Sequence, residues 1–273
     1  KPLGAASFNF NHRKRAWNLF GDYAFAYTGM LQYFDIYRNI QKGGDAIETD
    51  INSDRNAARI THNGRLGVDY ELSSKTTIGI LLSAFSNLYK MDAFNQSHII
   101  INQQLDTAVH INNAEDHPIY NYSANINLYH LFKGDKKLSL NLDYVYYWDA
   151  NFTDYHNQYY KGNGAFLLNT ITRSSKETPI RFWVGSADYT TKLGKRTDLE
   201  MGVKSTYSTF INDVWFEEQL QNNWVRDEAL TSSYHLKENI NAAYATASIE
   251  LDKKTTAKLG LRFEHPLSNL GSA

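Results

Sequence analysis

The stretch 138–149, LSLNLDYVYYWD, decides the fold class because its side chains alternate between apolar and polar from Leu138 to Tyr144. A period of two predicts a β-strand with one apolar face and one polar face. The strand also ends in a cluster of aromatic rings, which the fold has to explain. Its even positions are Leu138, Leu140, Leu142, Tyr144, Tyr146 and Trp148, and its odd positions begin with Ser139, Asn141 and Asp143.

The same alternation recurs along nearly the whole chain, each time bounded by a turn signal. It predicts an all-β, antiparallel protein with about ten strands. The predicted strands are 5–12, 16–28, 63–72, 76–87, 120–132, 138–149, 179–193, 197–211, 238–251 and 255–265.

The connections between these strands fall into two classes that alternate along the chain. Short polar turns lie near 13–15, 73–75, 133–137, 194–196 and 252–254. Long polar segments, which we expect to be loops, lie near 29–62, 88–119, 150–178 and 212–237. Tight turns at one end and long loops at the other are typical of an up-and-down transmembrane β-barrel. The Greek-key connections of a soluble sandwich seldom sort in this way. We therefore interpret 1–273 as a single β-barrel region.

Strand length and ring position favour the membrane further. Strands of about 10 to 15 residues exceed the usual five or six and suit a tilted crossing of the hydrocarbon layer. Aromatic rings with a polar corner prefer the headgroup level, so girdles at the strand ends are expected of a barrel in lipid. The pattern predicts lipid-facing side chains at Leu138, Leu140, Leu142, Tyr144, Tyr146, Trp148, Leu199, Met201 and Val203.

Composition excludes several other classes. The net charge of −1 gives no reason to expect nucleic acid as a partner. The chain has no cysteine, so it contains neither a disulfide framework nor a thiolate metal site. No window approaches the roughly 18 to 20 apolar residues of a transmembrane helix. No GxSxG, HExxH, P-loop or dinucleotide motif is present, so we expect no enzyme, no catalytic residue and no cofactor.

Two polar segments resemble metal sites only loosely. His110, Asp116 and His117 are close together in sequence, but their spacing matches no established site and favours a solvated loop. The acidic segment 43–56 lacks the order of an EF-hand and is interpreted as a mobile acidic loop. We therefore expect no metal site.

The segment 210–230 carries the one candidate for ligand binding. Trp215, Phe216 and Trp224 lie in or beside a long predicted loop, where exposed rings are suited to stacking on a sugar or an aromatic ligand. The alternative is that they pack the loop down onto the barrel rim.

Four stretches resemble a known family: LFGDYAFAYTGMLQYFDIYR (19–38), RLGVDYELSSKTTIGI (65–80), NYSANINLYHLFKGDKKLSLNLDYVYY (121–147) and YHLKENINAAYATASIELDKKTTAKLGLRFEH (234–265). Together they look like the barrel domain of the TonB-dependent outer-membrane receptors of the Bacteroidetes, within the outer membrane protein beta-barrel family. The similarity covers nearly the whole chain and corresponds to the N-terminal part of that barrel. The chain is therefore expected to be a portion of a longer precursor.

The resemblance implies a barrel of about 22 strands in the bacterial outer membrane, with a lumen closed by a plug domain. Such receptors take up a scarce nutrient with energy delivered by TonB. The implied partners are outer-membrane lipid, a plug and TonB that act through parts of the receptor outside this chain, and a surface lipoprotein.

Two alternatives stay open at this point. One is a self-contained small outer-membrane barrel that acts as a pore, an adhesin or a protease built on a His/Asp pair. The other is a soluble β-domain that binds carbohydrate, since a soluble antiparallel sheet with one wet face also alternates.

Overall fold

In a computed structural model, which describes residues 2–272, the chain forms one antiparallel β-sheet. The strands are β1 (Leu3–Lys14), β2 (Trp17–Lys42), β3 (Asp45–Ser73), β4 (Thr76–Ile101), β5 (Gln104–Leu131), β6 (Lys137–Lys161), β7 (Phe166–Leu193), β8 (Thr197–Leu220), β9 (Asn223–Arg226), β10 (Ser232–Glu250) and β11 (Thr256–Ser272). A single 3-10 turn spans Glu228–Leu230. Within the described range, no helix is long and apolar enough to cross a bilayer.

The topology is up-and-down throughout. Ten strands pair in the order β1-β2-β3-β4-β5-β6-β7-β8-β10-β11, and the short β9 pairs only with β8. This confirms the predicted all-β, antiparallel, up-and-down fold. The predicted count of ten omitted β9, which forms inside the segment expected to be a loop. β1 and β11 are the two edges of the sheet and do not pair with each other.

The prediction of long loops is wrong. The segments 29–62, 88–119, 150–178 and 212–237 consist mostly of paired strand, so β2 to β8 reach 24 to 29 residues each. We call these segments the projecting hairpins. They read as loops because the apolar and polar alternation stops, although the backbone ladder between the strands continues.

Two-residue turns close three of the four projecting hairpins; the fourth, between β6 and β7, is closed by the residues 162–165. Gly43 and Gly44, Asn102 and Gln103, and Gln221 and Asn222 each form a two-residue connection in which both residues have positive φ. This is the type I′ conformation, whose twist matches that of the flanking strands. The register runs unbroken to the turn in the β2–β3 and β8–β9 hairpins, whereas the β4–β5 hairpin shifts register between Ile99 and Ile100, just before its turn.

Cross-strand polar pairs replace apolar packing along the projecting hairpins. Asn52 Nδ2 donates to Asp35 Oδ1 at 2.7 Å, and Asn95 Nδ2 donates to Asn113 Oδ1 at 2.8 Å. Few apolar side chains are buried here: Ala57, Met91 and Ala93 form a small cluster, and Val109 and Ala150 are buried separately. Cross-strand polar pairs such as Asn52 with Asp35 stabilise a sheet by roughly 0.2–1 kcal/mol each, so the paired strands are stable here without a large apolar core.

The two faces of the sheet follow from the register, because directly paired residues of antiparallel strands project to the same side. Leu140 pairs with Leu128 on one side and Ala187 on the other, and Val203 continues that row. We call this side the outer face and the opposite side the inner face. The inner-facing Asn125 and Asn141 are only partly exposed, whereas the outer-facing Leu142 is 48% exposed.

The strands are staggered by about one residue per strand. The pairing of successive strands aligns Trp17, the first residue of β2, with Ala243 of β10. Ala243 lies seven residues before Glu250, where β10 ends, so the short-turn end of the sheet is shifted by seven residues between these two strands. Seven residues correspond to about 23 Å along the strands, and the seven strand steps from β2 to β10 span about 34 Å across them. If the short turns lie in one plane, the strands tilt by about 35°, within the range of closed barrels.

Candidate functional site

The outer face carries a continuous apolar belt above the short turns. All nine residues predicted to face lipid project to this face, and Leu140, Leu142 and Val203 are 38%, 48% and 55% exposed. Exposed apolar side chains from other strands fill the rows beside them: Leu19, Leu66, Ile80, Leu82, Ile126, Leu259, Leu261 and Phe263. An apolar band of this kind is what hydrocarbon requires of a barrel wall.

Aromatic rings border the belt at both sides. Next to the short turns, Trp17 packs against Tyr70 with ring centroids 4.3 Å apart. At the other border, Tyr120 stacks on Trp148 at 5.5 Å, and Tyr144 packs on Trp183 at 4.6 Å. Rings at these heights fit the two headgroup levels of a bilayer.

The upper border of the belt descends across the sheet together with the short turns. Followed through the paired strands, the row of Tyr23 on β2 reaches Thr209 on β8, and the border ring of β8, Tyr207, lies one side-chain row below it. On β10 and β11 the next row down is already polar, at Asn241 and His265. Both borders slope in the same sense, as they must when tilted strands cross a flat membrane.

The inner face beside the belt is polar. Asn125 Nδ2 donates to Asp143 Oδ1 at 2.6 Å, and Asn127 Nδ2 donates to Asn125 Oδ1 at 2.8 Å. Arg65 pairs with Asp22 at 2.7 Å. The charged residues that the sequence places opposite the belt also project inward: Asp69, Glu71, Glu200, Lys204, Lys258, Arg262 and Glu264.

Glycines let these inner side chains lie flat along the wall. A Cβ on Gly79 would lie 2.7 Å from Asn127 Oδ1 and 2.8 Å from Asp69 Oδ1. A Cβ on Gly202 would meet the hydroxyl of Tyr244, which donates to Asp188. A polar side chain from a neighbouring strand occupies the space beside each of these two glycines. The inner side chains therefore form their hydrogen bonds with one another inside the wall.

A polar cluster on the inner face, just above the belt, was missed from the sequence. His117 Nε2 lies 2.8 Å from Asp149 Oδ1, and its Nδ1 lies 3.6 Å from Glu115 Oε1. Tyr147 donates to Asp149 at 3.2 Å, and Asn151 donates to Glu115 at 2.7 Å. The cluster depends on the pairing of β5 with β6, which the sequence did not reveal because Glu115 and His117 lie in the segment 88–119 that was predicted to be a loop.

The loosely metal-like group in 110–118 does not come together. His117 projects to the inner face, whereas His110 and Asp116 project outward, because odd and even positions of β5 face opposite sides. Asp116 instead pairs with Lys90 at 3.1 Å. Nowhere in residues 2–272 do three or more histidine and acidic side chains form a group that could hold a metal ion.

The predicted ligand candidates are divided between the two faces. Trp215 and Trp224 project outward, and Phe216 projects inward. The Arg173 guanidinium lies 4.1 Å from the centre of the Trp224 ring and 5.7 Å from that of Trp215. Ring faces covered by a guanidinium are less available to a ligand, which favours the interpretation that these tryptophans pack the hairpin.

Glu217 connects the arginines of this cluster. It accepts from Arg173 Nε at 2.8 Å and from Arg226 Nη2 at 3.1 Å. The hydrogen bond from Arg173, together with that from Arg226, holds the pKa of Glu217 below its ordinary value. The cluster therefore ties β7, β8 and the short β9 together at the hairpin tips.

An open groove of about 570 Å³ lies on the outer face of the projecting hairpins β2 to β6. Its lining includes Tyr33, Phe94, Asp54, Asp92, Asp154 and His156. Three carboxylates without an ion-pair partner among the described residues make this end of the molecule acidic.

An antiparallel sheet with an apolar outer belt, ring borders and a polar inner face defines a transmembrane β-barrel wall. The chain belongs to the outer membrane protein beta-barrel family, whose model matches residues 129–272, more than half of its length. This places the protein in the bacterial outer membrane and removes the soluble alternative.

Solved structures show only distant likeness. The outer membrane protease OmpT from Escherichia coli is 11% identical, with a TM-score of 0.30 over 93% of this chain and 86% of that one. The toluene transporter TodX from Pseudomonas putida is 8% identical, with a TM-score of 0.25 over 97% and 86%. The siderophore receptor PirA from Pseudomonas aeruginosa is 7% identical, with a TM-score of 0.16 over 98% and 66%. Among curated proteins, none matches the chain. These likenesses are too weak to carry an argument about activity.

Proposed function

We propose that this chain is part of the barrel wall of a TonB-dependent receptor and takes part in nutrient uptake across the outer membrane. The observation that supports this most is the inner face. Its polar side chains hydrogen-bond to neighbours within the wall, and each strand contacts mainly its hydrogen-bonded neighbours. Small closed barrels instead fill their interior with side chains, whereas wide ones leave room for water or a plug.

The partners follow from the same proposal. Asn125, Asn127 and Asp143 would meet a plug domain or water in the lumen, and the plug would be moved by TonB. The projecting hairpins would form the outer mouth and would be the surface that a lipoprotein could contact. The role needs no catalytic residue and no cofactor.

This chain has no cysteine of its own, so the increase in labelling over the unsubstituted full-length protein reports the introduced thiol. A single Asn127→Cys substitution in the full-length protein, in its own cells, is exposed to a membrane-impermeant maleimide. We expect weak labelling in resting cells and stronger labelling when the inner membrane is energised, with no increase after loss of TonB. Ser139→Cys, on the same inner face and nearer the short turns, gives a second position. Labelling that ignores both energy and TonB would contradict the proposal and favour a self-contained pore.

A second candidate, a small barrel with hydrolytic activity, is favoured by the His117–Asp149 contact of 2.8 Å on the inner face. In that case His117 would activate a water molecule, with Asp149 orienting its ring. Peptide cleavage by the purified full-length protein that His117→Ala and Asp149→Asn both abolish would support this candidate. Unchanged or absent cleavage would leave the cluster with a structural role.

A further inference from the structure

The short-turn edge of the sheet is strongly basic. We define the turn rim as the residues 13–15, 71–75, 133–137, 192–198 and 250–254. It carries twelve Lys and Arg side chains and five Asp and Glu side chains, a net charge of 12 − 5 = +7. The basic residues are Arg13, Lys14, Arg15, Lys75, Lys133, Lys136, Lys137, Lys192, Lys195, Arg196, Lys253 and Lys254.

The opposite end has the opposite sign. The projecting hairpins carry ten Lys and Arg and sixteen Asp and Glu, a net charge of 10 − 16 = −6. The remainder of the chain contributes 6 − 8 = −2, which restores the total of −1. The nearly neutral composition therefore hides a separation of charge along the barrel axis.

Few of the rim cations are neutralised within the protein. Arg13 pairs with Glu71, and Lys192 lies 3.5 Å from Asp135. Over residues 2–272, the other ten basic side chains of the rim form no ion pair, and all twelve are exposed. Their charge is available to a partner outside the chain.

The rim lies where the apolar belt ends. Lys14 pairs directly with Trp17 on the outer face, and Arg15 is two residues from Trp17 in the turn, whereas Lys137 and Lys192 project inward next to the outward-facing Leu138 and Leu193. Trp17 and Leu193 are 54% and 55% exposed. A cation on the outer face or in a turn this close to an apolar anchor, such as Lys14 or Arg15, extends its head group to the phosphate level while its methylenes stay beside the acyl chains.

We propose that the turn rim binds the anionic headgroups of phospholipids in the leaflet on the short-turn side. The belt fixes the height of the rim in the bilayer, and the five turns spread its charge along the whole sheet edge. Each lipid phosphate would replace the counterions of one or two rim cations. This inference rests on the membrane belt and is independent of the proposed transport function.

The probe is Trp17, which lies next to the turn 13–15. The full-length protein is reconstituted in phosphatidylcholine vesicles that contain about one-fifth phosphatidylglycerol, with either lipid brominated in turn to quench tryptophan fluorescence. The signal of Trp17 is the difference between the wild type and Trp17→Phe. Quenching is compared per brominated lipid present. We expect brominated phosphatidylglycerol to quench this signal at least about twofold more than brominated phosphatidylcholine, because the rim cations attract the anionic headgroup.

Two comparisons decide the outcome. In the triple variant Arg13→Gln, Lys14→Gln, Arg15→Gln, the preference should fall to about one. The matched triple variant Arg38→Gln, Lys42→Gln, Lys161→Gln removes three exposed cations from the projecting hairpins and should keep it. Equal quenching by the two lipids in the wild type, or a preference that survives the loss of the rim cations, would overturn the proposal.

A salt titration needs no variant beyond Trp17→Phe and guards against misfolding of the triple variants. Raising NaCl from about 20 mM to about 500 mM shortens the screening length from about 20 Å to about 4 Å. The preference of the wild type should then largely disappear. A preference that salt leaves unchanged would mean that apolar packing, and not headgroup charge, selects the lipid.

Discussion

The same strands run through the apolar belt and through the projecting hairpins. The two regions share their paired backbone and differ in the side chains on their two faces. In the belt, Leu140 and Asn141 divide cleanly between an apolar and a polar face. In the projecting hairpins, both faces carry polar side chains, such as Asp116 outside and Glu115 inside. The pairing of β5 with β6 nevertheless resumes in the same register beyond the boundary, after a gap at His117 and Pro118.

This difference shows that the alternation of apolar and polar side chains depends on the solvent on each face, whereas the strand itself is defined by its backbone hydrogen bonds. Lipid on one side and water on the other impose alternation in the belt. Where water lies on both sides, nothing imposes it, and the strand persists through its register, its type I′ turns and its polar pairs. The predictions below test how separate the two regions are.

The largest effect should come from a charge in the belt. Leu140→Arg places a guanidinium in hydrocarbon and should lower the free energy of unfolding in vesicles by about 2–4 kcal/mol. Leu31→Arg is the matched control, because Leu31 projects to the same outer face but lies in the projecting hairpins, 56% exposed. It should change stability by less than about 0.5 kcal/mol. Equal losses, measured by urea unfolding, would erase the distinction between the regions.

The inner wall should be sensitive to a single methyl group. Gly79→Ala puts a Cβ against the terminal atoms of Asn127 and Asp69, and turning Asn127 away breaks its hydrogen bond to Asn125, which should cost about 1 kcal/mol. Gly185→Ala is the matched control on the outer face of the belt, where a Cβ would have no atom within 4 Å. It should be neutral or slightly stabilising, since it restricts the unfolded chain. If the two alanines have the same effect in urea unfolding, the wall is not packed as described.

The tip of the projecting hairpins should respond only locally. Trp224→Leu removes the contact with Arg173 and should weaken the β8–β9 pairing by about 0.5–1 kcal/mol, the usual size of an exposed cation–π contact. Amide hydrogen exchange of Asn223–Arg226 measures this opening directly. The belt amides of β8 should keep their protection, and a loss there would mean that tip and belt unfold together.

The smallest effect concerns pH. The pKa of Glu217 is lowered in the folded state, so its ion pairs stabilise the tip above the ordinary glutamate pKa, and this contribution is lost as the pH falls through the folded pKa. Exchange of Asn223–Arg226, corrected for intrinsic rates, should therefore become faster on acidification in the wild type. Glu217→Gln should exchange faster already at neutral pH and should show little further acid dependence. A variant that follows the wild-type pH profile would assign the effect to another group.

The strands could be predicted from the sequence where one of their faces contacts lipid. Leu138, Leu140 and Leu142 alternate with polar residues, so the belt strands and the up-and-down order were predictable. The projecting strands were not, because segments such as 88–119 lack alternation and their turn, Asn102 and Gln103, is a weak hairpin signal. The Gly43–Gly44 pair was a stronger one that the prediction did not use.

The candidate site was less accessible still. Trp215, Phe216 and Trp224 are near one another in sequence, but a period of two places Phe216 on the other face. His117 and Asp149 are 32 residues apart and meet because β5 and β6 keep the same register on both sides of His117 and Pro118. A contact of this kind depends on register, which single residues do not encode.

The length of the projecting strands also governs how a solute would approach. β3 has 29 residues, of which about ten suffice to cross the hydrocarbon, so about 19 residues continue for about 60 Å along the strand. At a tilt of about 35°, this raises the tips about 50 Å above the hydrocarbon layer. From β2 to β8 the ladder forms a tall wall, so diffusion sideways through this sector is blocked. A molecule travelling to the lumen on this side has to descend from the top, along a path longer than the membrane is thick.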